Sequence, residues 1–111
     1  MTYLEPSTLP AVPQVKLDLI AAKELIADER AWCCGVAARF APDRHTIVAR
    51  CATTAVIHAV GEDNLARIRA ANTALNGVLQ HRWLSIQQFN DLTSHSDVMK
   101  LFDDAIQGVE R

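Results

Sequence analysis

The chain has 111 residues, a length that predicts a single domain. Area scaling indicates that about two-thirds of its surface is buried on folding, enough for one core without disulfides or metals. Half of the residues are apolar, and 11 Lys and Arg against 13 Asp and Glu leave a net charge of −2. A duplex-binding protein usually carries a strong basic excess, so nucleic acid is not the expected partner.

The cysteines and histidines predict neither a disulfide framework nor a metal site. Cys33 and Cys34 are adjacent, Cys51 stands alone, and no C-x-x-C pair occurs. The four histidines are scattered without a metal-binding spacing, so we expect no metal and no cofactor. The sequence shows no secretion signal and no apolar run near the ~20 residues of a membrane span. We therefore expect a soluble cytoplasmic protein with free thiols.

The N-terminal segment differs from the rest of the chain. Residues 1–13 contain three of the four prolines and predict an extended arm, which leaves residues 14–111 as a single helical domain. Leucine, isoleucine and alanine then recur at helical spacing, which predicts a first helix over residues 14–31. Gly35 follows shortly and is suited to the left-handed conformation that ends a helix.

The next segment predicts a possible strand and a central helix. Residues 36–40 favour a short strand, and Pro42-Asp43 favours a turn after it. Apolar pairs then repeat every four residues over 46–60, which predicts the second helix, capped by Thr46 or Asp43. We expect this helix to lie at the centre of the fold, with the side that carries Ala55 and Val56 buried.

The third predicted helix follows the acidic residues Glu62 and Asp63, which favour the positive end of a helix. Its apolar positions alternate in steps of three and four, as in a coiled coil, with Asn72 as a polar member expected at the water-facing edge. This pattern, like the proline-rich arm, is a candidate surface for self-association. The apolar row consists of Leu65, Ile68, Leu75 and Leu79.

Two serine caps organise the C-terminal part. Ser85 and Gln88 have capping-box spacing and predict a short helix over residues 86–90. A turn over residues 90–95 follows, and a Ser94–Asp97 cap opens a last amphipathic helix. The chain is therefore expected to be mostly α-helical, a compact five-helix orthogonal or bundle-like domain, with room for one short strand or hairpin near 36–49.

Cys51 and His58 suggest a thiol–imidazole pair that geometry disfavours. Seven residues along a helix correspond to about 10.5 Å of rise, whereas a nucleophile and its base need about 2.6–3.2 Å. A direct dyad within the predicted helix is therefore excluded. Packing of Cys51 as a small buried side chain is the favoured interpretation.

The strongest binding candidates are the polar pair Asn90 and Asp91, which lies near the aromatic residues Trp83 and Phe89. Such a pair could line a ligand cleft beside the two rings. Asn and Asp in a turn also bond their own backbone, which explains their presence without a ligand. We favour this structural role, with Asp91 capping the approach to the last helix, and keep the four residues as the candidate binding site.

A set of short motifs extends over residues 17–109. The motifs are Trp32 with Gly35, Ala38-Arg39, Cys51-Ala52-Thr53-Thr54-Ala55-Val56, Phe89-Asn90-Asp91, Val98 and Ala105-Ile106. This set resembles a family of small bacterial and phage proteins that is known only as a domain of unknown function. The family's tryptophan before the central cysteine is Arg50 here, its Gly-Ala is Thr54-Ala55, and the tryptophan of its triplet is Phe89. The resemblance implies a compact, mostly helical intracellular domain and lends no catalytic residues.

The function expected from these features is that of a non-enzymatic binding or interaction module. It would act as a homodimer or on another protein, without a membrane and without nucleic acid. The alternative is a small hydrolase or transferase that uses Cys51 or the Asn90-Asp91 turn. The sequence leans away from an enzyme without excluding one.

Overall fold

The computed structural model describes residues 12–80 and 82–109. Within these ranges the chain forms five α-helices, one short 3-10 helix and one two-stranded antiparallel sheet, so the predicted mostly α fold with a hairpin near 36–49 is confirmed. Residues 1–11 of the predicted arm lie outside the described residues. The helices are α1 (Gln14–Leu25), α2 (Ala52–Val60), α3 (Leu65–Val78), α4 (Ile86–Leu92) and α5 (His95–Val109), and the strands are β1 (Ala38–Phe40) and β2 (Ile47–Arg50).

One hydrophobic core lies between the helices. Its largest fully buried apolar side chains come from α1, α2, α3 and α5 and include Leu19, Val56, Leu75 and Phe102. The buried side of α2 is the predicted one, because Ala55 and Val56 are both fully buried. The core therefore rests on helix packing, and the sheet lies beside it. None of the helices in the described ranges has the length and apolarity needed to cross a membrane.

The second helix begins later than predicted. Residues 47–50 form β2, and α2 starts only at Ala52. Ile47 and Val48 are β-branched, and such side chains fit a pleated strand, so their four-residue spacing from Cys51-Ala52 was coincidental. Asp43 caps no helix. Its carboxylate accepts the backbone N–H groups of His45 and Thr46 at 2.8 and 2.9 Å and shapes the hairpin loop.

The first helix ends earlier than predicted. It stops at Leu25, and a 3-10 turn over Glu29–Ala31 follows. The side chain of Asp28 accepts the backbone N–H of Arg30 at 2.8 Å, a local bond that competes with continued α-helix. Gly35 has a left-handed φ of 80°, as predicted, but it lies in the loop before β1 and ends no helix.

The apolar row of α3 faces the protein's own core. Leu75 is fully buried, and Ile68 and Leu79 pack against the core, whereas Leu65 is 62% exposed. Most of the row therefore packs within this chain, which steps of three and four residues also suit, and self-association through the row stays a prediction. Asn72 is half-buried, so its expected position at the edge of the row holds only in part. Its Oδ1 atom is buried and has no hydrogen-bond partner among the described residues.

Both serine caps are confirmed. Ser85 Oγ accepts the backbone N–H of Gln88 at 3.0 Å, and Ser94 Oγ accepts that of Asp97 at 3.2 Å. The helix between them is longer than predicted, since α4 continues to Leu92. The predicted turn over 90–95 is thus wrong at its start, and Asn90 and its neighbour lie in the last turn of a helix.

Candidate functional site

The side chain of Asn90 connects three separate segments in the interior. It is 0% exposed, and its Oδ1 accepts the indole N–H of Trp32 at 2.7 Å and the backbone N–H of Ala52 at 3.0 Å. Its Nδ2 donates to the carbonyl oxygen of Cys33 at 3.1 Å. Because these bonds satisfy both ends of the amide, Asn90 fastens α4 to the loop after α1 and to the start of α2.

Asn90 also serves as the missing cap of α2. Cys51 occupies the N-cap position in an extended conformation, and its side chain makes no capping hydrogen bond. The first N–H groups of a helix lack partners within that helix. Asn90 supplies an oxygen to one of them from a different helix, so the start of α2 depends on the position of α4.

Asp91 holds the loop that precedes the hairpin. Its Oδ1 accepts the backbone N–H of Gly35 at 2.9 Å, and the side-chain amide of Gln87 donates to the same carboxylate at 3.0 Å. The hydrogen bond from Gly35, followed by those from Gln87 and Asn90, lowers the pKa of Asp91. The predicted role of Asp91 as a cap of the last helix is therefore wrong. We call this set the Asn90 junction, which comprises Trp32, Cys33, Gly35, Ala52, Gln87, Asn90 and Asp91.

Cys51 lies beside the Asn90 junction but has no catalytic surroundings. Its side chain is 1% exposed, and its sulfur lies 3.3 Å from the hydroxyls of Thr53 and Thr54. His58 is occupied elsewhere, since its Nδ1 accepts a hydrogen bond from Arg50 Nε at 2.8 Å. A thiolate nucleophile needs exposure and a base within reach. Neither is found at Cys51 in the described part of the chain.

The remaining candidate ligands do not converge. Cys33 is buried, and burial raises the pKa of its thiol, whereas Cys34 is exposed. His95 Nε2 lies 2.7 Å from the carbonyl oxygen of Ile26, and its ring centroid lies 5.7 Å from that of Trp32. Over residues 12–80 and 82–109, no group of three or more His, Cys, Asp or Glu side chains is placed to hold a metal ion.

The structure divides the four residues of the predicted binding site into two pairs. Trp83 and Phe89 meet edge to face with ring centroids 5.4 Å apart, and Phe89 lines a cleft of about 170 Å³ between the end of α3 and α5. Asn90 and Asp91 point instead to the loop after α1. Of the first pair, Phe89 borders a small cleft and Trp83 is not among its lining residues, whereas Asn90 and Asp91 both belong to the Asn90 junction.

The hairpin carries an exposed apolar surface that the sequence analysis missed. Val36, Phe40 and Val48 are 50%, 54% and 48% exposed. Phe40 pairs with Ile47, and the strand register shifts at a bulge between Arg39 and Phe40. The turn residues Pro42-Asp43 between an aromatic and a β-branched segment were the available signal. We call Val36, Arg39, Phe40, Arg44 and Val48 the hairpin surface.

The hairpin surface also contains two arginines. Arg39 lies on β1 and Arg44 in the loop, and both are exposed. Among the described residues, neither forms an ion pair with a carboxylate. Arg44 has a φ of 65°, a left-handed conformation that is uncommon for a residue other than glycine. The hairpin therefore carries two exposed arginines.

Comparison with known proteins identifies a family without a known activity. The model of a family of unknown function, DUF6197, matches residues 10–108 of the chain. This range contains the Asn90 junction and the whole hairpin surface. No curated protein and no solved structure shows a match.

Proposed function

We propose that this chain, which belongs to the DUF6197 family of unknown function, is a non-enzymatic binding module that contacts another protein through the hairpin surface. The observation that carries this proposal is the half-exposure of Phe40 and Val48 on the hairpin and of Val36 just before it. Large apolar side chains that are grouped at a surface are typical of interaction sites. The module would act in the cytoplasm, where its three free thiols stay reduced.

The connections at the base of the hairpin support a binding role. The backbone N–H of Cys51 donates to the carbonyl of Ala37 at 3.0 Å, and that of Cys33 donates to Arg50 at 3.0 Å. Asp91 holds Gly35 on the other side. A surface fixed before binding loses less conformational entropy when its partner arrives. The Asn90 junction thus serves the proposed function as a rigid support.

The rival function, a hydrolase or transferase at Cys51 or Asn90-Asp91, has weaker support. The Cys51 thiol is buried, and Asn90 is enclosed with its hydrogen bonds used by the protein itself. A substrate would have to displace these bonds to reach either group. Each buried partner left unpaired would cost about 1–3 kcal/mol.

Site-specific photo-crosslinking tests the proposed function. A photoreactive residue replaces Phe40 in one variant and Leu84 in a matched control, since Leu84 is 88% exposed but lies outside the hairpin. In cells that naturally produce the protein, we expect the residue at position 40 to crosslink discrete partner proteins. These crosslinks should disappear when Val48→Ser is added. Equal crosslinking from the two positions, or none from position 40, contradicts a binding role of the hairpin.

Self-association is a second candidate function, on a different surface. A groove of about 250 Å³ lies between α3 and α5 and is lined by small residues that include Gly77 and Gly108. Small side chains allow a second copy's helix to approach closely. Sedimentation at up to about 100 µM should then show a dimer that Gly77→Leu weakens by about tenfold or more. A monomer throughout would exclude this candidate.

A further inference from the structure

We infer that the cleft lined by Phe89, here called the Phe89 cleft, binds a small zwitterion with an apolar body, of the class of apolar α-amino acids. Arg82 pairs with the carboxylate of this ligand and Asp97 with its ammonium group, while the apolar body lies against Phe89 and Leu101. All four of these residues line the cleft. The cleft shares no residue with the hairpin surface, so this site goes beyond the proposed function.

The Phe89 cleft has an apolar interior and a charged rim. Its lining residues come from α3, α4 and α5 and from the segment between α3 and α4. Leu101 is buried, and Leu79 and Phe89 are half-buried, whereas Arg82 and Asp97 are exposed. A ligand in the cleft therefore meets apolar side chains inside and charged side chains at the opening.

The volume of the Phe89 cleft limits the size of its ligand. The cleft encloses about 170 Å³, and in another protein a cavity of about 150 Å³ holds one benzene molecule. Pockets for larger small molecules usually measure about 300–1,000 Å³. The cleft can therefore enclose the side chain of one apolar amino acid, and it is too small to enclose a nucleotide or a peptide.

The four charged side chains that line the Phe89 cleft divide into one ion pair and two single groups. Lys100 Nζ lies 2.9 Å from Asp104 Oδ2, and this hydrogen bond raises the pKa of Lys100. Arg82 and Asp97 form no ion pair among the described residues. One positive and one negative group thus remain without a counter-charge in the same cleft.

Both unpaired groups keep hydrogen-bonding capacity for a ligand. The guanidinium carbon of Arg82 lies 5.2 Å from the centroid of the Trp83 ring, and a guanidinium in such a contact can still donate two N–H groups to a carboxylate. Asp97 Oδ2 lies 3.5 Å from the backbone nitrogen of Ser94, which is too far for a strong hydrogen bond. The carboxylate of Asp97 therefore still has lone pairs that an ammonium group can use.

Charge complementarity favours a zwitterion over a ligand with a single charge. A simple carboxylic acid would pair with Arg82 but would also bring its negative charge near Asp97 and Asp104. A simple amine would pair with Asp97 but would bring its positive charge near Arg82 and Lys100. A zwitterion gives each unpaired group its counter-charge and keeps the balance of two positive and two negative side chains in the cleft.

Titration of the full isotope-labelled chain, followed by NMR, tests the inference with four matched probes. Leucine has all three features, whereas isocaproate lacks the ammonium group, isopentylamine lacks the carboxylate and glycine lacks the apolar body. We expect leucine to shift the amide signals of the cleft residues with a Kd below about 1 mM, and the other probes to bind at least about tenfold more weakly. The inference is overturned if about 10 mM leucine shifts no signal of the cleft, or if any other probe binds as tightly as leucine.

Charge-specific substitutions test the assigned roles. Arg82→Gln should weaken leucine by about tenfold and strengthen isopentylamine, because it removes a positive charge that the amine faces. Asp97→Asn should weaken leucine to a similar extent and strengthen isocaproate for the corresponding reason. Arg69→Gln alters an exposed arginine of α3 outside the cleft and should leave all four probes unchanged. Unchanged leucine binding in the two cleft variants, or an equal loss of every probe, contradicts the inference.

Discussion

Asn90 is the residue on which we expect the stability of the fold to depend most. Asn90→Ala would leave the indole N–H of Trp32, the N–H of Ala52 and the carbonyl of Cys33 without their partner in the interior. We predict a loss of about 2–4 kcal/mol in the free energy of unfolding, measured by urea denaturation. Gln88→Ala removes a side-chain amide from the same helix, whose Oε1 accepts the backbone N–H of Leu84, and should cost about 1 kcal/mol or less. Equal losses for the two variants would show that the buried bonds contribute little.

Asp91 should make stability depend on pH in the acid range. Its folded pKa is lowered, so its contribution is fully present above the unfolded pKa of about 4 and is lost as the pH falls through the folded value. We predict that Asp91→Asn destabilises the protein near neutral pH and that the difference from the wild type shrinks below about pH 4. Chemical denaturation across this range measures it. A difference that stays constant with pH would mean that the charge of Asp91 has no part in holding Gly35.

Replacing glycine by alanine should have opposite effects on stability inside a helix and at a helix end. Gly77 and Gly108 lie within α3 and α5, and a Cβ added to either meets no atom within 4 Å in the described structure. Gly77→Ala and Gly108→Ala should each raise the free energy of unfolding by about 0.5–1 kcal/mol. Gly61 ends α2 with a φ of 103°, so Gly61→Ala should lower it. Thermal or urea melts that reverse this order would contradict the helix assignment.

The individual elements could be predicted where their determinants are local. The Ser85 and Ser94 caps bond atoms three residues away, and both were found from the sequence. The second strand of the hairpin was assigned to the start of the second helix because Ile47 and Val48 satisfy a helical spacing by chance. Phe40, the partner of Ile47, lies across a loop, and a repeat within one segment carries no information about such pairing.

For the molecule as a whole, the labelling rates of the three thiols should show which parts of the protein unfold first. Cys34 is exposed, whereas Cys33 and Cys51 are buried between the hairpin, α2 and the loop after α1. A thiol reagent near neutral pH should label one cysteine quickly and the other two only as the protein unfolds. Mass spectrometry during urea titration measures the steps, and Cys34→Ser identifies the fast site. Rapid labelling of Cys51 in the native protein would revive the possibility of a thiol nucleophile.

Some members of the Asn90 junction were singled out from the sequence, but their arrangement was not predicted. Trp32 and the Asn90-Asp91 pair were each singled out from the sequence. Their contact joins residues 58 positions apart, and the one to Ala52 spans 38 positions. Helical periodicity and capping rules extend over a few residues only, so no such rule could place these groups against one another. The exposure of Phe40 could not be predicted for the same reason, because it depends on which distant parts of the chain pack against that side chain.

The long-range hydrogen bonds of Asn90 also affect when the protein can fold during its own synthesis. The ribosome makes the hairpin and α2 before α4, so their amide partner does not exist while they emerge. Until residues 90 and 91 have left the exit tunnel, the start of α2 lacks its cap and the backbone N–H of Gly35 lacks its carboxylate partner. Contacts between such distant positions form late and slow the folding step that needs them. The nascent chain therefore exposes Val36, Phe40 and Val48 before the Asn90 junction has formed. Unfolded chains aggregate most readily at this stage.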